Sequence, residues 1–479
     1  MHVSFVILLV ACGPGPDGKG PTDGSDAVDT GADTADTGRD TAADDTAADS
    51  APDDTAADTA PDDTAADTAP DGAEVPVAGA RILEDDGTLR ESLAGRGDLG
   101  PGPGEELVVS AGGELLTVAI PAAGDVSLAA QTVGGVTVRD GEYVTEVALG
   151  DLDGDGWTDV LRLGGTYEML SDSPYEEFFR YTPVLTAFLG PLADGPDPAW
   201  TVTLDTVTGS SAMPSLVLDD PAGDGSFGVL LTLGTSAGYG GETAAWRIDA
   251  AGGAARIGAS DGLVWGVDLD VRAVGDIDGD GIVDLSVESW SDTRTNRVAL
   301  HPGPLGESFP AEADAAATLD GSFDHVTPLG DLDGDGHDDV AFVGDHAWIV
   351  PGPWSTGEVE AAAVARIDPE ADDPADSAFR VTAGDVGADG VRDLVVADTY
   401  WPVAHGLDWR RGAVYVFHGL PAGTRGARTA DTRVYGAEEG DYFGGGAMVL
   451  DDGRVAVQGY RDRDAANGES WAVWLLEGL

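Results

Sequence analysis

Cysteine and lysine are nearly absent from this chain. Cysteine occurs once, as Cys12, and lysine occurs once, as Lys19. A single cysteine excludes an intramolecular disulfide framework and a zinc site made of several cysteines. No apolar run reaches the ~18–20 residues that a membrane-spanning helix needs. Other interactions must therefore stabilise the fold.

Positive charge is also scarce. The 479 residues include 24 basic and 88 acidic side chains, which gives a formal net charge of −64. A surface this negative repels phosphate backbones and anionic lipid headgroups, so nucleic-acid binding and a polybasic membrane patch are excluded. Such a composition suits a medium that contains salt or calcium.

The amino terminus has the features of a targeting segment. An apolar run over 3–10 ends in Leu9-Val10-Ala11-Cys12, followed by Gly13. This end resembles the signal peptide of a bacterial lipoprotein, in which the cysteine is lipidated. The resemblance predicts a signal peptide over 1–11, lipidation of Cys12 and export to a lipid-anchored place in the cell envelope, at the outer membrane or cell surface. The alternative is a chance cysteine after an apolar start, because no Lys or Arg precedes the run.

Residues 12–74 are predicted to form a disordered acidic linker. The stretch 13–72 has no aromatic residue and carries seventeen Asp, one Lys and one Arg. A nine-residue unit rich in Asp, Thr, Ala and Pro runs three times in register, at 44–52, 53–61 and 62–70. Such a tract cannot bury enough apolar area to offset the entropy of ordering, so we expect a solvated tether.

The rest of the chain, 75–479, consists of one repeat. Short alternating apolar runs are broken by Gly, Pro and Asp, which is typical of an all-β protein. The unit is roughly 55 residues long, the size of a four-stranded propeller blade. Seven units begin at Asp98, Asp151, Asp220, Asp276, Asp331, Asp385 and about Asp451.

The first and last units predict how the ring closes. The short outer strand of the repeat occurs as Ala255–Ile257 and Ala365–Ile367, and the last unit ends before its own copy. A matching Ala80–Ile82 stands ahead of the first unit. We therefore predict a seven-bladed β-propeller of four-stranded antiparallel blades, in which the N-terminal strand completes the last blade and removes an exposed sheet edge.

An aspartate-rich loop is the clearest part of each unit. We number its positions 1 to 9 from the first Asp. Three copies are intact, with Asp at positions 1, 3, 5 and 9 and Gly at 4 and 6: 151–159, 276–284 and 331–339. The copy at 385–393 lacks the acid at position 3, and the copies that begin at Asp98 and Asp220 keep fewer acids still.

These loops are candidate calcium sites. Alternating carboxylates converge when the backbone curls at the glycines, and the backbone carbonyl at position 7 adds an oxygen; an oxygen-only shell suits Ca²⁺. We expect about three structural ions, with a possible fourth at 385–393. The predicted ligands are Asp151, Asp153, Asp155, Trp157 (backbone O), Asp159, Asp276, Asp278, Asp280, Ile282 (backbone O), Asp284, Asp331, Asp333, Asp335, His337 (backbone O), Asp339, Asp385, Asp389 and Asp393.

The loops have two other possible interpretations, an EF-hand and a turn without metal. An EF-hand needs an acid at position 12 and helices on both sides. Position 12 is Arg162, Val287 or Phe342, and the flanking residues have the pattern of strands. A plain Asp-Gly turn without metal is the other alternative, but three identical spacings favour calcium.

The motifs resemble those of the FG-GAP or VCBS-type repeat family, which includes the head of integrin α subunits and many bacterial surface proteins. The loops carry the resemblance, with Gly440–Gly444 as the Phe-Gly part and Gly412–Phe417 as a repeat strand. The resemblance covers about 75–479. It implies a seven-bladed propeller with calcium held on one face.

Function is predicted from the scaffold, since no catalytic or cofactor-binding residue can be assigned. The pattern Gly234–Gly238 matches a nucleophile elbow but lacks the helix that this element requires. We expect a monomer that binds a protein or glycan at the cell surface and meets the membrane only through a lipid anchor. The alternatives are an enzyme acting on an extracellular polysaccharide, as a lyase or hydrolase, and a purely structural surface protein.

Overall fold

The computed structural model describes most of the repeat region and little of the amino terminus. The described residues are 5–7, 78–83, 91–99, 104–111, 114–137, 143–169, 179–192, 196–209, 212–219, 228–235, 244–259, 269–289, 296–304, 314–370, 379–400, 411–437, 441–462 and 469–479. The predicted linker 12–74, Cys12 and most of the predicted signal peptide lie outside these ranges. The chain divides into residues 12–72 and a second unit, 1–11 with 73–479. Only the second unit is described below.

Strands dominate this unit. In chain order they are β1 (Phe5–Ile7), β2 (Ala78–Leu83), β3 (Glu91–Gly97), β4 (Glu106–Ala111), β5 (Glu114–Ala119), β6 (Gly124–Ser127), β7 (Thr132–Thr137), β8 (Tyr143–Gly150), β9 (Asp159–Met169), β10 (Phe179–Phe188), β11 (Trp200–Thr203), β12 (Val207–Gly209), β13 (Ala212–Asp219), β14 (Gly228–Thr235), β15 (Ala244–Asp249), β16 (Ala254–Ala259), β17 (Leu269–Gly275), β18 (Asp284–Ser289), β19 (Asn296–His301), β20 (Ala317–Gly321), β21 (His325–Gly330), β22 (Asp339–Val343), β23 (Ala347–Val350), β24 (Gly357–Glu358), β25 (Ala365–Asp368), β26 (Phe379–Gly384), β27 (Asp393–Asp398), β28 (Ala413–Phe417), β29 (Gly423–Gly426), β30 (Thr432–Tyr435), β31 (Gly446–Val449), β32 (Val455–Asp462) and β33 (Glu469–Leu476).

The strands form seven small sheets in a ring, which confirms the predicted propeller. The four antiparallel strands of each blade, from the centre outward, are β3-β4-β5-β7, β8-β9-β10-β11, β13-β14-β15-β16, β17-β18-β19-β20, β21-β22-β23-β25, β26-β27-β28-β30 and β31-β32-β33-β2, numbered blades 1 to 7. The innermost strands of successive blades contact one another, and β31 returns to β3. The ring therefore closes on itself.

The amino-terminal strand completes blade 7, as predicted. β2 pairs antiparallel with β33, with Ile82 opposite Val473. A further hydrogen bond crosses from blade 1 to blade 7, from the backbone N–H of Leu93 to the side chain of Gln458, at 2.9 Å. Both ends of the repeat region thus belong to one sheet, and the ring is joined by backbone pairing.

The core is divided among the blade interfaces. The described residues contain seven clusters of buried apolar side chains, one between each pair of neighbouring blades. In β27, Leu394 and Val396 face blade 5, whereas Val395 and Ala397 face blade 7. Because a middle strand is covered on both faces, its sequence is continuously apolar instead of alternating.

A fifth, parallel strand extends three of the blades. β6 of blade 1 pairs with β2, β24 of blade 5 with β20, and β29 of blade 6 with β25. Each comes from the connection between the third and fourth strands of the next blade and covers the outer edge of the preceding one. Sheet edges that would be open to other chains are thereby paired.

Two further short strands and three helical turns lie in the described part of this unit. β1 pairs with the inner strand β8, and β12 adds to β10. The helical turns are α1 (Leu128–Gln131), α2 (Val359–Ala362) and a 3-10 turn at Ala427–Thr429. Within the described residues no helix has the length and apolar character to cross a membrane.

Candidate metal centres

The aspartate-rich loops all occupy the same place in their blades. Each connects the innermost strand to the second strand, so they share one end of the ring. The predicted repeat register is confirmed by this placement. Residues 220–227, the degenerate loop of blade 3, lie outside the described residues. The connections of the other six blades are 98–105, 151–158, 276–283, 331–338, 385–392 and 450–454.

The structure brings together three carboxylates in each intact loop, those at positions 1, 3 and 9. One ligand atom from each lies within 4.8 Å of the others, in the groups Asp151/Asp153/Asp159, Asp276/Asp278/Asp284 and Asp331/Asp333/Asp339. The position-5 carboxylates lie outside these groups. Each of them instead accepts a hydrogen bond from the backbone N–H at loop position 7, at 2.9 Å in all three loops.

The carboxylate at position 1 shapes the loop around it. Asp276 accepts hydrogen bonds from the backbone N–H groups of Gly279 (2.8 Å), Asp280 (2.9 Å) and Gly281 (2.7 Å). The two glycines have positive φ values of 79° and 86°, a conformation that suits a residue without Cβ. The loops at Asp151 and Asp331 have the same set of bonds. The glycines at positions 4 and 6 are therefore required by the curl.

The carboxylate at position 9 lies at the base of the loop and is fully buried. One oxygen of Asp284 accepts the N–H of Ile277 at position 2 (2.9 Å), and the other accepts the N–H of Gly303 (2.8 Å). Gly303 belongs to the Gly-Pro turn that follows the third strand. The same bonds join Asp159 to Leu152 and Gly190, and Asp339 to Leu332 and Gly352.

Burial makes the carboxyl groups of these three residues weaker acids than usual. It raises the pKa of Asp159, Asp284 and Asp339 to about 6 in each case, against an ordinary value of 3.8. Neighbouring carboxylates of the same loop raise the pKa further, and the backbone N–H donors lower it. A cation among these oxygens would favour the ionised form.

The donor set fits Ca²⁺. Each group offers carboxylate oxygens alone, which hard divalent cations prefer, whereas zinc and copper sites use nitrogen or sulfur. The loop at Asp385 keeps part of the arrangement: Asp385 accepts from Asp389 and Gly390, and Asp393 accepts from Val386 and Gly419. Its position 3 is Gly387, so a carboxylate is missing. The carbonyls of Trp157, Ile282 and His337 stay predicted ligands.

Position 8 and the glycine before position 1 have a structural role that was not predicted from the sequence. The N–H of Asp276 donates to the side chain of Asp338, which is position 8 of the next blade's loop, at 2.9 Å. A Cβ on Gly275 would lie 2.8 Å from the Cβ of Asp338, closer than atoms approach. The signal was present, since glycine precedes position 1 in five loops, at Gly97, Gly150, Gly275, Gly330 and Gly384.

No family model matches the chain, and no curated protein matches it. The Phe-Gly part of the resemblance is described from Asp441 onward: Phe443 is fully buried and packs edge-on against Trp474, with ring centroids 5.4 Å apart. What the structure establishes is a propeller with three acidic groups that could hold a metal ion.

Proposed function

We propose that this chain is an exported, lipid-anchored, calcium-stabilised propeller of the FG-GAP type that binds a protein or a glycan at the cell surface. The proposal of calcium rests on one geometry that occurs three times, in which carboxylates at positions 1, 3 and 9 converge within 4.8 Å. With four acids each, the loops concentrate negative charge that a divalent cation offsets.

The ligand is proposed to bind at the end of the ring opposite the calcium loops. At the calcium end, the connections between the first and second strands span eight residues in blades 1, 2, 4, 5 and 6 and five residues (450–454) in blade 7. The connections between the third and fourth strands lie at the same end, and in blades 1, 5 and 6 they contain β6, β24 and β29, which pair with the preceding blade. At the opposite end, the connections between the second and third strands range from two residues (112–113) to fourteen (399–412). Constant loops support the scaffold, and variable loops on a rigid scaffold are where recognition is usually found.

The predicted tether supports a role at a surface. Sixty residues could reach at most ~200 Å when fully extended. A lipidated Cys12 would then hold the propeller well clear of the bilayer, where the acidic surface avoids anionic headgroups. Release of the protein from the membrane fraction by a Cys12→Ser substitution tests this part directly.

Binding is tested with the purified full chain against a panel of polysaccharides and a panel of purified envelope proteins. Two variants separate the ends of the ring. In one, the long connections 170–178 and 399–412 are replaced by two-residue turns like 112–113, and in the other Asp153→Ala alters a calcium loop. We expect loss of binding in the first variant and retention in the second at saturating calcium. Retention in the first variant would contradict the proposed location.

The alternative functions predict different readouts. A lyase or hydrolase would generate new unsaturated or reducing ends in a polysaccharide of the panel. It would do so without forming a stable one-to-one complex with that polysaccharide. A structural protein would bind none of the panel while staying folded. Turnover without stable binding would replace the proposed function by the enzymatic one.

A further inference from the structure

The calcium loops of blades 4 and 5 are joined by two hydrogen bonds, one from a backbone N–H to a side chain and one between backbone groups. The side chain of Asp338 accepts the N–H of Asp276, and the N–H of Asp338 donates to the carbonyl of Asp276, both at 2.9 Å. His337 packs beside them: a Cβ on Gly279 would lie 2.6 Å from its imidazole Cε1. Two ligand positions are thereby connected, since Asp276 is position 1 of one loop and Asp338 adjoins position 9 of the next.

The same contact recurs around the ring at position 8. Thr158 Oγ1 accepts the N–H of Asp98 at 3.2 Å, and Glu105 accepts the N–H of Asp451 at 3.0 Å. At position 8 of the blade 6 loop, the side chain of Arg392 contains no acceptor atom, and it donates instead to the carbonyl of Leu329 at 2.7 Å. In the described part of the ring, position 8 therefore links its loop to the neighbouring blade at four of the blade interfaces.

Only one of the described links joins two loops with complete carboxylate sets. The loop of blade 1 has Gly100 and Gly102 at positions 3 and 5, and the loop of blade 6 has Gly387 at position 3. Blades 4 and 5, in contrast, both carry the full set. The loop at Asp151 has degenerate loops on both sides, because the copy at Asp220 lacks acids at positions 3 and 9.

We propose that Asp338 is a positioning residue that couples calcium binding in the loops of blades 4 and 5. The inference rests on the proposed calcium function and extends it to regulation between sites. An ion bound by Asp276 fixes the backbone that holds Asp338, and with it the neighbouring Asp339. The second ion then meets a loop that is already ordered, so binding is cooperative in the positive sense. The loop at Asp151 binds its ion independently.

Calorimetric calcium titration of the full chain tests the coupling. Asp153→Ala first removes the independent site, and Asp278→Ala or Asp333→Ala then leaves one site of the pair. We expect each remaining site to bind calcium at least about fivefold more weakly than it does when both sites of the pair are intact. Linkage requires that the factor be the same whichever of the two sites is removed. Adding Asp338→Ala should abolish that difference, while Asp338→Thr should retain it, because a threonine already performs this contact at Thr158.

The outcomes separate this inference from the function on which it rests. Equal calcium binding by the wild type and by Asp153→Ala/Asp278→Ala/Asp333→Ala would overturn the calcium sites themselves. Three ions bound with no mutual effect would overturn the coupling alone. Circular dichroism checks that Asp338→Ala folds. If it does not, the single-site comparison still decides whether coupling exists, and Asp338→Thr against Asp338→Val decides whether the hydrogen bond carries it.

Discussion

The buried carboxylate of Asp159 accepts a hydrogen bond from the backbone N–H of Gly190, 2.7 Å away. This bond ties the second strand's first residue to the turn after the third strand. Asp284 and Gly303 repeat it at 2.8 Å, and Asp393 and Gly419 at 2.9 Å. Since Asp393 belongs to a loop without the full carboxylate set, position 9 has a structural role that does not depend on calcium.

Replacement of Asp393 by Ala should therefore destabilise the protein with or without calcium. The change leaves the buried N–H of Val386 and the half-buried N–H of Gly419 without their acceptor, at a cost of about 2–4 kcal/mol in the free energy of unfolding. Urea unfolding in EDTA measures it. Asp389→Ala in the same loop is the control, because that side chain is exposed and, among the described residues, accepts a single hydrogen bond, from the N–H of Val391. Equal effects of the two variants would contradict the structural role.

Removal of calcium should lower the melting temperature, and each of the three sites should contribute to the change. At a calcium concentration one hundredfold above Kd, each site contributes about 2.7 kcal/mol. In scanning calorimetry, Asp153→Ala should remove the contribution of one site, whereas Asp278→Ala and Asp333→Ala should each remove one site and also weaken its coupled partner. Magnesium at the same concentration should replace calcium poorly. A melting temperature that EDTA leaves unchanged would argue against structural calcium.

The pH dependence of stability should change sign with calcium. In the metal-free protein, Asp159, Asp284 and Asp339 have pKa values raised from 3.8 to about 6, so the folded state holds more protons than the unfolded state between these values. Their contribution to stability is thus present at low pH and is lost as the pH rises through about 4 to 6. Calcium binding requires the ionised form and gains over the same window.

Melting curves from pH 4.5 to 7.5, in EDTA and in calcium, check this expectation. The gap between the two curves should widen as the pH rises. The variant Asp153→Ala/Asp278→Ala/Asp333→Ala serves as control, because it keeps the position-9 residues and should lose the gap. A constant gap across the range would show that these carboxylates do not control calcium binding.

Gly275 should tolerate no side chain because of its neighbour in blade 5. At Gly275 the φ of +90° is unfavourable for a residue with a side chain, so Gly275→Ala costs about 1–2 kcal/mol in backbone strain. The added methyl group also displaces Asp338. Gly281→Ala has a φ of +86° but open space around the added Cβ, so it isolates the backbone cost. In EDTA we expect a larger loss of unfolding free energy for Gly275→Ala, partly restored by Asp338→Gly. Equal losses would mean that the contact is loose.

The amino-terminal strand should be required for stability and the linker should not. Deletion of 13–72 should leave the melting temperature unchanged, whereas deletion of 13–83 also removes β2. The second deletion uncovers the edge of β33 and the cluster between blades 7 and 1 that contains Ile82 and Leu475. We expect it to lower the melting temperature and to promote aggregation, measured by calorimetry and light scattering.

Much of this fold could be predicted from the chain because each blade repeats a local pattern. The spacing of Asp and Gly within nine residues defines the loop, and the copy of the outer strand at Ala80–Ile82 predicts the closure that β2 makes with β33. Carboxylates at positions 1, 3 and 9 do converge. These features depend on residues close together in the chain, or on a repeat unit whose missing part can be recognised elsewhere.

The contacts between blades could not be predicted in the same way. The bond from Asp276 to Asp338 spans 62 positions, and the parallel pairing of β6 with β2 joins segments of different blades. The glycine before position 1 indicates that another group approaches closely, but no local pattern identifies that partner, since it depends on how two independent sheets are placed around the ring. The sequence by itself determined the blades, their number and their acidic loops. Tertiary structure decided which residues link one loop to the next, because only packing brings distant backbone groups within hydrogen-bonding distance.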